Sequence, residues 1–322
     1  MPRYHLFGVD LESDHFFANR LGRGKGPADL AFTLGGDPPA DIAAVESVFA
    51  SPDLDPEGRS LLTVHRMGPW YVLRRPGLAR FWIGEEAIVA VPDPGAGDPP
   101  TADALAEIEI VFLGPVMGLW LERRGVAVLH AAAVALPGGA VLFLGTNRGG
   151  KSSLAAAMMD RGATLLADDV VAVESRAEAF LARPSYPQMR FWPAAARHLV
   201  DDVEALERVH PRLTKRRLGV GPGGIGHFQE TAVPVQAVVL PARRPGAALR
   251  VEELAPAEGL MTLLRQSFLP RLVEACGWQA RRLDRLGALV EGVGVARLHY
   301  PSGYEHLPEV ADAVLDWVAE PA

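Results

Sequence analysis

The residues best placed by type and spacing to do chemistry are two short runs and one isolated side chain. Gly145-Thr146-Asn147-Arg148-Gly149-Gly150-Lys151-Ser152 follows the apolar run Ala140-Val-Leu-Phe-Leu144 and satisfies the pattern G-x-x-x-x-G-K-[ST]. Its glycines let the backbone turn until several N–H groups point at one spot. A helix that follows adds the positive end of its dipole, and the lysine adds a full charge for polyphosphate oxygens. The Ser152 hydroxyl suits a magnesium ion. Lysine is scarce here, with Lys25, Lys151 and Lys215 the only three, which makes a chance lysine at this position a poor explanation. The alternative is a glycine-rich strand-to-helix turn carrying an incidental surface lysine.

Further on, Thr164-Leu-Leu-Ala-Asp168-Asp169-Val-Val-Ala-Val runs an apolar strand into two adjacent carboxylates and out again. A strand alternates sides, so Asp168 and Asp169 point in different directions unless the backbone breaks there. Near a magnesium–nucleotide complex, one acid can contact the metal while the other accepts a proton from an attacking hydroxyl. His130 precedes the loop on an apolar strand, as a site residue or as a satisfied core histidine. Arg148, Arg183 and Arg190 are candidates for neutralising charge on a transferred phosphoryl group. The basic run Leu213-Thr-Lys-Arg-Arg217 reads either as a phosphate grip or as a solvated face.

The elements that must position these residues follow from periodicity and turn chemistry. A strand over 126–136, a Pro-Gly-Gly turn, a strand over 140–144, the loop, a helix over 151–161 ended by Gly162 and a strand over 164–173 form one unit. Val126 to Gly145 is nearly uncharged and about long enough to cross a bilayer, but Pro137-Gly138-Gly139 divides it into two buried strands. A long apolar helix over 102–123 carries Asp103, Glu107 and Glu109 early and Arg123-Arg124 at its end, an order that suits the helix dipole. Gly219 to Gly226 reads as a mobile loop. Helices are expected from Pro256, over 279–290 and from Pro308 to about Ala319, with strands over 233–240 and 293–300.

At 322 residues the chain suggests two domains. Residues 1–95 read as a β-rich N-terminal domain with a role in substrate recognition. The segment Pro92-Asp-Pro-Gly-Ala-Gly-Asp-Pro-Pro100 reads as a linker, and residues 101–322 as the second domain. Net charge is −7 with a pI near 5.7, so neither nucleic acid nor an anionic membrane is an expected partner. Cys276 stands alone, which excludes an internal disulfide framework and a cysteine-rich zinc site and fits a reducing compartment. The N-terminus lacks the apolar core of a signal peptide, and the expected location is cytoplasmic.

The order Leu129-His130-Ala-Ala, phosphate loop, Arg161-Gly162, Asp168-Asp169 resembles the catalytic core of HPr kinase/phosphorylase. The stretch Arg183-Pro-Ser-Tyr-Pro-Gln-Met-Arg-Phe-Trp-Pro193 is similar to one in the HPr-kinase-related subfamily, some of whose members are linked to modified-peptide pathways that include lasso peptides. The resemblance covers about 105–195 well, extends to the C-terminus and is weak over the first 95 residues. It implies an α/β fold with a mixed sheet, of the phosphoenolpyruvate-carboxykinase-like type of phosphate-loop kinase core. It also implies ATP-dependent phosphoryl transfer, with Mg2+, to a serine of a peptide or small protein.

Carried over by residue, Gly145, Gly150, Lys151 and Ser152 would bind the triphosphate and its metal, with Thr146, Asn147, Arg148, Gly149 and Ser153 beside them. Asp168 would be the proton acceptor, Asp169 a magnesium contact, and His130 a neighbour orienting aspartate or phosphate; the two aspartate roles can be exchanged. Kinases of this kind commonly assemble, which leaves a homo-oligomer open. The chain departs from the bifunctional enzymes at Gln188-Met-Arg190-Phe-Trp, where their glutamate-led signature is absent, and at Ser153, where they usually place an acid. Neither phosphate-dependent dephosphorylation nor HPr as substrate is therefore carried over. Two further readings stay open, a small-molecule kinase on the same core and a regulator that holds ATP without transferring phosphate.

Overall fold

Short apolar runs alternating with turn residues fold the N-terminal part into a nine-stranded sheet. Its order is Gly22–Arg23, Arg3–Leu6, Val9–Ser13, Leu30–Leu34, Ala87–Pro92, Ala79–Ile83, Trp70–Arg75, Thr63–Met67, Glu46–Ala50. The computed structural model describes residues 1–37, 39, 46–177, 179–210 and 213–319. They form two compact units, Met1–Arg124 with Arg271–Gln279, and Gly125–Pro270 with Ala280–Ala322.

The division differs from the one expected at the proline-rich segment. There, the Asp93 N–H donates to the Leu78 carbonyl at 2.8 Å, the Asp93 carboxylate accepts from the Gly77 N–H at 3.1 Å, and Ala96 is buried. These bonds tie the segment to the first unit, and the helical stretch after it belongs to that unit too. Thr101 caps the stretch by accepting from the Ala104 N–H at 3.2 Å. It runs as Ala102–Val111 and Met117–Arg123, joined by a widened turn, Phe112–Val116, around Pro115, whose ring and missing N–H cannot continue a regular helix. By length and composition Ala102–Arg123 is apolar enough to cross a membrane, although Phe112, Leu113, Val116 and Trp120 are buried within the protein.

Glu109 serves a different end from the dipole role its position suggested. It is 2% exposed and accepts from His15 Nε2 at 2.9 Å, the Ala18 N–H at 2.8 Å, the Asn19 N–H at 3.1 Å and Asn19 Nδ2 at 2.6 Å. Burial works to raise its pKa, but these donors together hold it below the usual glutamate range. Glu109→Ala strands several buried donors and is expected to lower stability by roughly 3 kcal/mol or more in chemical denaturation. Because the folded pKa is depressed, the stabilisation is complete above about pH 4.3 and fades as pH falls through the lower folded value. A denaturation midpoint unchanged by the substitution would exclude this role.

The second unit holds a mixed sheet in the order Ala127–Leu129, Val171–Arg176, Ala179–Arg183, Val233–Arg243, Gly139–Leu144, Ala131–Leu136, Thr164–Ala167. Gly294–Tyr300 also pairs with Val233–Arg243, and Arg250–Glu253 pairs with Gly294–Tyr300. Gly139–Leu144 runs parallel to Val233–Arg243, which runs parallel to Gly294–Tyr300, and the other pairings are antiparallel. The fold is therefore mixed α/β.

The continuous apolar run 139–144 reflects burial on both faces. Val141 and Phe143 face a cluster with Leu154 and Met158 of helix Lys151–Met159 and Val310 and Val314 of helix Leu307–Ala319. Ala140, Leu142 and Leu144 face one with Leu263 of helix Pro256–Arg265 and Leu286 and Leu289 of helix Gln279–Gly292. Each fully buried Leu or Phe here contributes about 1.5–3 kcal/mol, which fixes the strand that delivers the glycine loop.

Three local expectations are corrected. The strand read as 126–136 is broken at His130, and the one read as 164–173 is broken at Asp168-Asp169. Each changes partner at its break, because the segments before and after pair with different neighbours. Gly219 to Gly226 is a hydrogen-bonded turn rather than a loose loop. The Gly221 N–H donates to Ile225, the Gly224 N–H to Gly221 and the Ile225 N–H to Gly219, at 3.0, 2.8 and 3.0 Å, and Val220 is buried.

Candidate functional site

The loop begins where the buried strand Gly139–Leu144 ends and stops where helix Lys151–Met159 starts. Gly150 takes φ 93°, left-handed, and a Cβ there would lie 2.6 Å from Tyr300 Oη, so both backbone angle and space call for glycine. The first intrahelical bond runs from the Leu154 N–H to the Gly150 carbonyl at 2.9 Å. The N–H groups of Lys151, Ser152 and Ser153 come before it in the first turn, where an α-helix offers no acceptor of its own. Arg148 (φ 64°) and Asp169 (φ 75°) are two of the five non-glycine residues with left-handed backbones among the described residues. Both line the same cleft of about 440 Å³. Such conformations are costly and concentrate at functional sites.

Lys151 is buried, and its ammonium donates to the carbonyls of Gly145 at 2.8 Å and Thr146 at 3.0 Å and lies 3.0 Å from His130 Nε2. The other ring nitrogen, Nδ1, is 2.9 Å from the Asp169 carbonyl oxygen, which can only accept, so Nδ1 carries the hydrogen and Nε2 accepts from Lys151. Asn147 Oδ1 also lies 3.0 Å from Nε2, but with both atoms acceptors it makes no hydrogen bond to the ring in this tautomer. His130 thus ties the two strand breaks together and anchors the loop lysine. Burial pushes the Lys151 pKa down, against the pull of Asp169 and Asp168.

The two aspartates are differently engaged. Asp168 is 4% exposed; its Oδ1 accepts from Ser152 Oγ at 2.7 Å and its Oδ2 from the Arg190 N–H at 2.9 Å. Burial and the neighbouring Asp169 charge raise its pKa, against the Ser152 and Arg190 hydrogen bonds. Asp169 lines the cleft, with Oδ2 3.4 Å from an Arg190 guanidinium nitrogen and Oδ1 3.6 Å from His130 Nδ1. Burial would raise its pKa, but Arg190, Lys215, His130 and Lys151 together hold it below the usual aspartate range. The backbone turn at Asp169 is what separates the two carboxylates.

Cations dominate the remaining wall. Arg148 stacks over the Trp192 ring at 4.6 Å, Lys215 lies 5.9 Å from that ring's centroid, and Arg190 and Arg243 complete the lining. With Lys151 these five cations face a single lining carboxylate, Asp169, an imbalance suited to a polyphosphate. Gly149, Gly150, Ser152 and Ser153 line the cleft too, while Gly145 and Thr146 contribute the carbonyls beneath it.

Some candidates lie elsewhere. Arg183 pairs with Glu174 at 3.0 Å and does not line the cleft. Of the basic run, only Lys215 reaches it. Arg216 is bound to Glu204 and Arg217 to Glu207 in a strand, Arg216–Gly219, paired with Gln188–Phe191. Sequence spacing missed Arg243 and Tyr304, which line the cleft, and Tyr300, which parallel-strand register places opposite Arg243 and whose hydroxyl crowds Gly150. Only the Tyr-Pro-x-x-Arg-x-Trp stretch gave a signal for Trp192.

A magnesium–nucleotide complex fits these residues. The donor set is hard and oxygen-based, Ser152 Oγ with the Asp168 and Asp169 carboxylates. Magnesium is commonly held by one or two carboxylates plus substrate phosphates. Among the described residues no group of three or more His, Cys, Asp or Glu is placed to hold a metal ion by itself.

No protein-family model matches the chain, and no curated protein matches it. Among solved structures it is similar to the HPr(Ser) kinase/phosphatase from Coxiella burnetii. That likeness has 15% sequence identity and a TM-score of 0.28, and covers 59% of this chain and 95% of that one.

Proposed function

We propose that this protein transfers the terminal phosphoryl group of ATP to a serine hydroxyl of a peptide or small protein, using a phosphate-loop core of the HPr kinase and phosphoenolpyruvate-carboxykinase type. The observation that carries the reading is the 2.7 Å bond from Ser152 Oγ to Asp168, which joins the loop to the acidic pair and leaves Asp169 on the cleft wall. In this reading Ser152 Oγ would hold Mg2+, oriented by its bond to Asp168, and the loop and first-turn N–H groups would hold the phosphates. Bound there, the metal neutralises phosphate charge.

Asp169 is the proton acceptor, the exchanged form of the two aspartate roles. Both Asp168 oxygens are engaged and buried, whereas Asp169 faces the space an acceptor would enter. The serine oxygen forms a bond to the terminal phosphorus as the bond to the ADP oxygen breaks, and the serine proton passes to the Asp169 carboxylate. Lys151 and Arg190 offset charge on the moving group. Its ammonium must exchange the Gly145 and Thr146 carbonyls for phosphate oxygens, a local rearrangement of one side chain.

The test is incubation with γ-labelled ATP, Mg2+ and serine-containing peptides. Label in a peptide is the expected result. ATP bound with its label retained would favour the regulator, a reading kept in view by the amide Gln188 standing where the bifunctional enzymes have an acid. His130→Ala removes an acceptor of the Lys151 ammonium and is expected to lower turnover roughly tenfold. Wild-type turnover would assign His130 to packing alone.

A further inference from the structure

A second hollow opens beside the cleft, on the outer side of helix Lys151–Met159. Its volume of about 340 Å³ lies within the range of small-molecule pockets, roughly 300–1,000 Å³. Ala156, Ala157 and Ala195 leave its floor open, and Leu199 and Leu307 make it apolar. On its wall the rings of His198 and Tyr304 stack with centroids 4.0 Å apart and planes 24° apart. Ser153, Ala195 and Tyr304 line both this groove and the phosphate cleft, so the two adjoin at Tyr304. Lys151, Asp169 and Arg190 line only the cleft.

We infer that this groove takes the nucleoside half of the triphosphate, its base against the His198–Tyr304 pair; the inference rests on the ATP reading above. In loops of this pattern the lysine reaches the β and γ phosphates while backbone amides cradle α and β. The transfer end of the chain is therefore the Asp169 side, and the nucleoside leaves past Ser153 and Tyr304. An acceptor peptide must instead approach Asp169, which the groove does not include. Stacked aromatic rings accept any base face, and the Asp160 carboxylate on the rim offers an acceptor for ribose hydroxyls or an exocyclic amine. Arg161, also on the rim, is held by Asp312 at 2.6 and 3.0 Å and by the Pro308 carbonyl at 3.2 Å, so its guanidinium is anchored away from filling the site.

The experiment is calorimetric titration of the full chain, with Mg2+, by ATP and separately by inorganic tripolyphosphate, in wild type, Tyr304→Ala, Tyr304→Phe and His198→Ala. Expected is a loss of ATP affinity on the order of tenfold in Tyr304→Ala, a smaller loss in His198→Ala and little in Tyr304→Phe, with tripolyphosphate affinity unchanged in His198→Ala, which lies outside the cleft, and falling less than ATP affinity in Tyr304→Ala. Retained tripolyphosphate binding also shows that the variants fold. Equal ATP affinity in wild type, Tyr304→Ala and His198→Ala, with tripolyphosphate still bound, overturns the groove assignment and leaves the phosphate site standing. Failure of wild type to bind either ligand overturns both. An ATP affinity that stays constant while the apparent KM for a peptide acceptor rises would give the groove to the acceptor and overturn the proposal.

Discussion

Lys151→Ala is expected to weaken Mg-ATP binding about 10- to 100-fold and to remove detectable phosphoryl transfer. A hydrogen bond to a charged group is worth about 1.5–3 kcal/mol, and in a phosphate complex the ammonium makes such bonds from inside the cleft. The side chain is buried at the start of helix Lys151–Met159, so none of the exposed arginines can take its place. The substitution also releases the Gly145 and Thr146 carbonyls, which makes a parallel thermal melt the necessary control. Calorimetry gives the affinity, and Lys151→Arg is expected to rescue it poorly, because a planar fork does not fit a space shaped around an ammonium. Wild-type ATP affinity in a folded Lys151→Ala protein would remove the loop from the nucleotide site.

Asp169→Asn is expected to behave differently, with transfer slowed about 10²- to 10⁴-fold while ATP affinity changes little. The amide keeps the shape of the carboxylate and its hydrogen-bonding reach toward Arg190 but cannot take a proton. Asp168→Asn separates the two roles. It disturbs the partner of Ser152 Oγ, so its effect is expected on the Mg2+ concentration required rather than on the transfer step at saturating metal. Initial rates measured across a magnesium series distinguish these outcomes. If Asp168→Asn alone abolished transfer at saturating Mg2+, and Asp169→Asn left it intact, the proton acceptor would be Asp168.

The sequence carried much of the local architecture and little of its folding-over. The strand Gly139–Leu144, the loop and the helix Lys151–Met159 were legible because burial, glycine geometry and helix start signals agree over consecutive residues. The breaks at His130 and Asp168-Asp169 were not. Each is flanked on both sides by apolar residues of strand type, and only strand pairing on either side shows that the chain changes neighbours there. The left-handed turn at Asp169, which decides which acid faces the cleft, likewise has no glycine to announce it.

Long-range placement was the least visible. Arg243 and Tyr300 come together through the register of parallel strands, and Lys215 enters the cleft while its neighbours Arg216 and Arg217 turn to Glu204 and Glu207. Proline and glycine misled in the opposite direction. The segments at 92–100 and 219–226 read as loose, yet backbone hydrogen bonds tie the first to Leu78 and close the second on itself.

The central claim is that the terminal phosphate of ATP lies between the first turn of helix Lys151–Met159 and the Asp168-Asp169 pair. A crystal structure with Mg2+ and a non-hydrolysable ATP analogue tests it most directly. The expected result is a terminal phosphate bound by Lys151 and the first-turn N–H groups, metal on Ser152, and Asp169 facing the phosphorus. An analogue bound outside this cleft, or a loop in which Lys151 keeps the Gly145 and Thr146 carbonyls with saturating nucleotide present, would contradict it.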